Sequence, residues 1–431
     1  MNVSSPSTDA ATDASTAPTS ADPAVDPAAG STPPLTSTGD PYDSRRFVLA
    51  VLALAVGGFA IGTTEFVSMG LLPQMARATD VSIPSAGHAI SAYAIGVVIG
   101  APTMAVLGAR WPRRNALLGF MALFAVGNIA TALVSSYDGL LLARFVAGLP
   151  HGAYFGVASL LAASMARQGR EGRAVATVMM GLSVANLLGV PMATWLGQTI
   201  GWRAAYWVVA ALGLLTFALV VACIPRRPGD ATASWRTELG VFKKPQVLIT
   251  LVAGAVGFGG MFAVYSYVVP TLTEVGGLDE SAAPVFLFVF GLGMVLGTWL
   301  AGEMSSWSIF GSLFVGSIGQ GLCLLAFAAF AASGWWTLPL VMGITTFGSI
   351  LVVNLQVRLM SVTSEAPTIG AAMNHAALNM ANALGAWLGG LVIAAGWGYR
   401  APGVVGFGLA AVGAFVLFAS WGLERRTRAV L

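Results

Sequence analysis

The sequence predicts an all-α membrane protein of twelve transmembrane helices in two pseudo-repeated six-helix bundles, and three observations predict it. Of 431 residues, 56% are hydrophobic and only 9% charged, against roughly 25% charged in a soluble domain. The apolar residues form runs long enough to cross a hydrocarbon core of about 30 Å, which takes about 20 residues of helix. Short matches then recur at a nearly constant offset between the first and second halves of the chain.

Residues 1–44 are dominated by Ser, Thr, Ala, Pro and Asp, and Asp9, Asp13, Asp22, Asp26, Asp40 and Asp43 face no basic residue before Arg45. Such a segment cannot bury enough surface to offset its ordering entropy, so it reads as a disordered cytoplasmic tail. It has neither the basic start nor the short apolar core of a cleavable signal peptide. With Arg, Pro and Gly clusters as punctuation, spans begin near 47, 86, 115, 139, 174, 204, 245, 282, 310, 335, 368 and 401. The first six make a bundle over 45–224, a basic linker follows over 225–244, six more fill 245–422, and 423–431 forms a second cytoplasmic tail. The 53 glycines suit close-packed membrane helices.

An even number of spans puts both termini on one side. With that side cytoplasmic, the inner segments hold Arg45 and Arg46; Arg110, Arg113 and Arg114; Arg167, Arg170 and Arg173; Arg226, Arg227, Arg236, Lys243 and Lys244; Arg358; and Arg425, Arg426 and Arg428. Those 17 stand against Arg77, Arg203 and Arg400 outside, with Arg144 inside a span. The bias is the positive-inside pattern of an inner (cytoplasmic) membrane protein. A net charge of +3, scattered over many loops, excludes a nucleic-acid surface. Cys223 and Cys323 lie in apolar runs without CxxC or Cys/His spacing, so neither a disulfide framework nor a metal site is expected.

Gly96-Val-Val-Ile-Gly100 in span 2 answers Gly293-Met-Val-Leu-Gly297 in span 8 at an offset of 197, and Pro73 answers Pro270 at the same offset. Ala185-Asn-Leu-Leu-Gly189 in span 5 answers Ala381-Asn-Ala-Leu-Gly385 in span 11 at 196. Three matches at one offset favour a parallel repeat of two halves. Four longer motifs, GTTEFVSMGLLP (Gly62 to Pro73), ARFVAGLPHGAYFG (Ala143 to Gly156), NLLGVPMATWLGQTIGWR (Asn186 to Arg203) and NHAALNMANALGAWLGG (Asn374 to Gly390), complete the pattern. Over roughly residues 45 to 425 the chain resembles the major facilitator superfamily, within it the bacterial sugar-efflux and drug:proton antiporter branch. It departs from that family between spans 2 and 3, where Ala109 stands in place of the usual Asp before Arg110, Arg113 and Arg114. The Asp-to-Arg latch is therefore not carried over, and Glu303 is only a loose substitute.

An ionisable group inside a bilayer costs at least a few kcal/mol and is a functional candidate by default. Glu65 is 18 residues past Phe47, about 27 Å along a helix and so near the outer end of span 1. It is either an interfacial carboxylate or a proton carrier at the outer mouth of a central cavity. Arg144 lies six residues after Asp138, about 9 Å inward along span 4; it either snorkels outward or shares a depth with Glu65 as its partner. The resemblance implies the latter, because Arg144 matches the span 4 arginine associated with proton coupling. His151, between Pro150 and Gly152 in a locally irregular part of span 4, is a structural histidine, a proton relay or a substrate reader. His375, Asn379 and Asn382 fall at i, i+4 and i+7, one helical face, which fits an inter-helix hydrogen-bond seam or a ligand contact.

In the resembled fold, spans 1, 4, 7 and 10 line the cavity. That implies Tyr154, Tyr265, Tyr267, Asn354 and Gln356 as substrate contacts, with packing or lipid exposure as the alternative. Gly181, Gly189 and Pro191 resemble the antiporter motif of span 5, which would bend the helix and bring it close to the opposite half. Walker, HExxH and Ser/His/Asp patterns are missing, so no enzyme activity is expected. The resemblance implies a proton-coupled exporter of a small organic molecule, monomeric and without cofactor; a facilitator or importer of sugars, or a receptor that does not transport, is the alternative.

Overall fold

The computed structural model describes residues 44–108, 111–167, 171–226, 244–362 and 367–430. The expected tail before residue 44, most of the 225–244 linker, and Arg110 lie outside them. Among the described residues every regular element is a helix. The spans are α1 (Arg45–Gly70), α2 (Ile83–Met104), α3 (Arg113–Leu133), α4 (Tyr137–Met165), α5 (Ala174–Ile200), α6 (Trp202–Cys223), α7 (Pro245–Tyr265) and α8 (Glu280–Ser305). A single apolar stretch, Ile309–Val362, runs for 54 residues, about 80 Å if straight and far more than a bilayer needs. It folds back at Gly334 (φ 58°, ψ −121°), and its arms, α9 (Ile309–Phe330) and α10 (Leu338–Val362), pack together. With α11 (Met373–Trp397) and α12 (Ala401–Arg425), twelve spans result.

The repeat seen in sequence reappears in the packing. Gly96 of α2 lies against the backbone of Phe145 and Gly148, and Gly100 against Leu149. In the second bundle Gly293 lies against Met342 and Thr345, and Gly297 against Thr346, so every partner is displaced by the same 197 residues. A side chain at any of these glycines would push the helices apart, which is why small residues hold the crossings. The short helices Leu72–Ala78 and Val268–Glu274, carrying Pro73 and Pro270, start from capping residues with similar backbones, Leu71 at φ −114° and Tyr267 at φ −117°.

Local sequence also sets the breaks. Pro150 cannot donate to Val146, and α4 is interrupted at Leu149–Pro150 before resuming at His151. Pro191 likewise leaves Leu187 without its usual partner, and the turn Ala185–Gly189 opens to π geometry. There α5 meets α8, where Gly291 sits against Asn186 and Leu187. The other cross-bundle seam joins α2 to α11, with Ser91 Oγ donating to the Ala383 carbonyl at 3.2 Å.

The perimeter is apolar, with Leu52, Trp195, Trp299 and Phe415 exposed, as a lipid-facing surface requires. Trp111 and Trp307 stand at the arginine-rich face, Trp336 and Trp397 at the opposite one, the two levels of an aromatic belt. At the opposite face the bundles are closed on each other. Met69 and Leu72 share one apolar cluster with Val268, Leu272, Phe286 and Leu287. Glu280 accepts from Arg77 at 2.8 and 3.2 Å and from Gln74 at 2.9 Å, while Gln198 donates to its backbone carbonyl at 2.8 Å.

Candidate functional site

The motif around Glu65 is a polar stripe on an apolar helix, and the structure satisfies it residue by residue. Thr63 Oγ1 donates to Phe59 O at 2.8 Å, a bond within α1. Thr64 Oγ1 donates to Asn128 Oδ1 of α3, and Ser68 shares a 2.6 Å hydrogen bond with Tyr206 of α6. All three side chains are buried, so leaving any of them unpaired would cost about 1–3 kcal/mol.

Arg144 is fully buried and does not snorkel. Its Nη1 donates to Thr64 Oγ1 and its Nη2 to Thr64 O, both at 3.0 Å. Its guanidinium lies 4.4 Å from the Tyr93 ring centroid and 5.4 Å from that of Tyr206. Carbonyl, hydroxyl and two aromatic faces hold this charge in place. Arg144 acts on Glu65 through the field, but among the described residues the two form no direct ion pair.

Glu65 is 5% exposed, in the wall of a central cavity rather than at an interface. Asn379 of α11 lines the same cavity and donates from Nδ2 to His375 O at 3.2 Å, and Glu65 Oε2 lies 4.0 Å from His151 Nε2. His151 Nδ1 is 3.0 Å from the Tyr93 hydroxyl, and among the described residues Nε2 has no hydrogen-bond partner. The His151 ring is 6.0 Å from that of His375, which stacks on Phe155 at 5.2 Å with the planes 3° apart. Two histidines, one of them beside a carboxylate, and a tyrosine thus meet where α1, α2, α4 and α11 converge.

The central cavity, about 220 Å³, lies between the bundles. Its polar wall comprises Glu65, Asn186, Gln356, Asn374, His375 and Asn379; Met179, Met261, Phe262 and Met294 form much of the apolar wall. A second cavity of about 180 Å³ shares Met179, Gln356 and His375 and runs toward the arginine-rich face past Ser159, Ala163 and Met360. Methionine suits a surface that must adapt its shape.

Of the sequence candidates, Glu65, Gln356, His375 and Asn379 line this space. Tyr154, Tyr265, Tyr267 and Asn354 are not among the lining residues of either cavity. Tyr154 donates to Leu54 O at 2.8 Å, Tyr267 to Ala386 O at 2.8 Å, and Asn354 to Ile350 O at 2.9 Å, while Tyr265 stacks on Phe290 at 3.6 Å. Gly181 abuts the Ala55 carbonyl and Phe59 amide of α1, and Gly189 abuts Thr63 and Phe59, so that face of α5 fixes α1 while the π-turn beside Pro191 touches α8. At the arginine-rich face Arg113 is exposed, and Arg114 donates to Val221 O at 2.7 Å within the first bundle. Tyr93, Phe155 and Tyr206 carry no local signal of their position, since each is one aromatic among many in an apolar span. Glu280 could have been suspected as the acid facing Arg77 across the outer loops.

The sequence model described as Major Facilitator Superfamily matches residues 54–374. The chain is 42% identical over 376 residues to "Inner membrane transport protein YdhP" of Escherichia coli strain K12, covering 86% of this chain and 95% of that protein. It is 34% identical over 349 residues to "Chloramphenicol resistance protein" of Streptomyces lividans, covering 78% and 87%. Among solved structures, a D-xylose-proton symporter superposes with a TM-score of 0.71 at 18% identity, covering 87% of this chain and 97% of that one, a likeness of fold.

Proposed function

The chain belongs to the Major Facilitator Superfamily, whose members are transporters rather than enzymes, and from that premise we propose that it is a proton-coupled exporter of a small organic molecule. The observation that carries this reading is Glu65, a carboxyl side chain deep in the membrane that lines the cavity between the bundles and neighbours His151 and Asn379. A proton and a substrate therefore compete for one space. Substrate at the polar wall crowds the carboxyl group, and a proton on Glu65 removes its acceptor for substrate donors. Exchange follows if each bundle position favours one occupant.

The two bundles, 45–224 and 245–422, act as the rocking bodies, with the arginine-rich face cytoplasmic and both termini on that side. Three things support the assignment: the 17-to-3 distribution of basic residues, the cavity that runs toward that face, and the closed contacts around Glu280 on the other. The resistance named for the Streptomyces relative and the inner membrane named for the Escherichia one favour export across that membrane. One proton crossing 100 mV supplies about 2.3 kcal/mol, roughly fiftyfold in concentration, which suffices for modest efflux. Glu65, Arg144 and His151 serve coupling; Gln356, His375 and Asn379 contact substrate.

The test is flux in proteoliposomes of the purified chain, with chloramphenicol and a panel of sugars as probes. A transported probe should accumulate against its gradient only when a pH gradient is imposed. Glu65→Gln should abolish that accumulation while retaining exchange of labelled for unlabelled probe. Uphill transport by Glu65→Gln at the normal rate would sink the coupling assignment.

A further inference from the structure

We propose that Asn186 and Asn379 form a two-sided clamp that selects the transported molecule by its hydrogen-bond donors: the substrate is a small molecule with an apolar body and at least two hydroxyl or N–H groups. The proposal rests on the reading of the central cavity as the substrate site, and on no assignment of the coupling ion.

Asn186 of α5 and Asn379 of α11 both stand in the wall of that cavity, one from each bundle. They are 1% and 2% exposed. Asn186 Nδ2 donates to Leu182 O at 3.0 Å and Asn379 Nδ2 to His375 O at 3.2 Å, in each case the carbonyl four residues back on the same helix. A carbonyl oxygen only accepts, so these bonds fix which end of each amide is nitrogen. The amide oxygens are what remains. Among the described residues neither Asn186 Oδ1 nor Asn379 Oδ1 has a hydrogen-bond partner, and a buried acceptor without a donor bears the full cost of its lost hydration. In the wall of a substrate cavity, the missing donor is one that the substrate brings.

The helices hold both residues where such a contact is useful. Asn186 lies in the π-turn Ala185–Gly189, and Gly291 of α8 packs against its backbone carbonyl, so its position is pinned at a crossing between the bundles. Asn379 shares its face of α11 with His375, which lines the same cavity. Phe258, Met261, Phe262 and Met294 supply apolar surface that accommodates the body of a molecule without orienting it. The cavity, about 220 Å³, is below the roughly 300–1,000 Å³ of pockets for drug-sized ligands, so the substrate is small. Molecules that carry only acceptors, such as ethers, ketones and esters, leave both amide oxygens unpaired and are rejected, as are quaternary ammonium ions, which have no N–H. Because the two oxygens belong to different bundles, a substrate that donates to both also ties the bundles together at the level of the cavity.

Matched probes test the clamp at equilibrium, with no gradient imposed. Purified full-length protein is titrated with a panel of small phenyl-substituted diols and with their counterparts carrying fluorine in place of each hydroxyl, and binding is read from the shift of the thermal unfolding midpoint. Each diol should bind at least about tenfold tighter than its fluorinated mate. Asn186→Leu and Asn379→Leu should each reduce that ratio severalfold and leave the unliganded midpoint unchanged. Asparagines that merely brace their helices would instead lower the unliganded midpoint on substitution and leave the ratio alone. Equal binding within the pairs, no binding by any diol, or a ratio that both variants retain would overturn the clamp. The exporter reading stands or falls separately, on flux driven by a pH gradient: a preference for diols without uphill flux ends that reading only, and uphill flux of diols and fluorinated mates alike ends the clamp only.

Discussion

Arg144 shows how a membrane interior keeps a full charge at rest. Thr64 supplies both its hydroxyl and its carbonyl, and Tyr93 and Tyr206 supply the flanking ring faces. Thr64 in turn depends on Asn128, so the three form one network across α1, α3 and α4. Thr64→Val keeps the shape and removes the hydroxyl, leaving Arg144 Nη1 and Asn128 Oδ1 without partners. A loss of about 2 kcal/mol is expected, measured as a lower midpoint of thermal unfolding in detergent. Tyr93→Phe touches less of the network. It frees His151 Nδ1 while keeping the ring under Arg144, so the fold should hold while pH-gradient-driven accumulation of a transported probe falls.

At the level of the helix, close approach and controlled irregularity divide the work. Glycines at the crossings of α2 with α4 and α8 with α10 admit neighbouring backbone where a methyl group would collide. Gly100→Ala and Gly297→Ala should each destabilise the protein by about 1–3 kcal/mol, read from thermal unfolding. Gly408→Ala, where an added methyl group meets nothing within 4 Å, should show no loss. The π-turn of α5 has a different purpose. Pro191 holds it open and Gly291 receives it, so Pro191→Ala lets α5 regain a regular bond to Leu187 and withdraws the turn from α8. Increased proton leak in vesicles, without loss of folded protein, is the expected outcome.

The molecule as a whole is closed around Glu280 at one face and hollow toward the other. The contacts of Arg77 and Gln74 with this carboxylate are partly exposed; an exposed pair contributes about 0–1 kcal/mol. That is too little to matter for folding but enough to bias two conformations of similar energy. Glu280→Ala should shift the population toward the state open at this face by up to about fivefold. Spin labels at Ile200 and Trp336, both exposed near this face, in a background with Cys223 and Cys323 replaced, should show a larger long-distance fraction. An unchanged distance distribution would mean that the apolar cluster of Met69, Leu72, Phe286 and Leu287 holds the face shut without help.

Composition and local pattern were enough for the twelve spans, the repeat at 197 residues, the break at Pro150 and the candidate acid at Glu65. Each depends on the chain's own periodicity or on the cost of polar groups in hydrocarbon, and both can be read one segment at a time. Sequence could place Glu65 and Arg144 at comparable depths but could not say what either one touches. Only the folded chain decides that Arg144 is taken by Thr64, that Glu65 turns instead to His151 and the central cavity, and that Tyr154, Tyr267 and Asn354 spend their hydrogen bonds on backbone carbonyls. The physical reason is rotation about the helix axis: which face of a span meets which neighbour is set by packing between segments far apart in the chain, and no local signal in an evenly apolar helix records it.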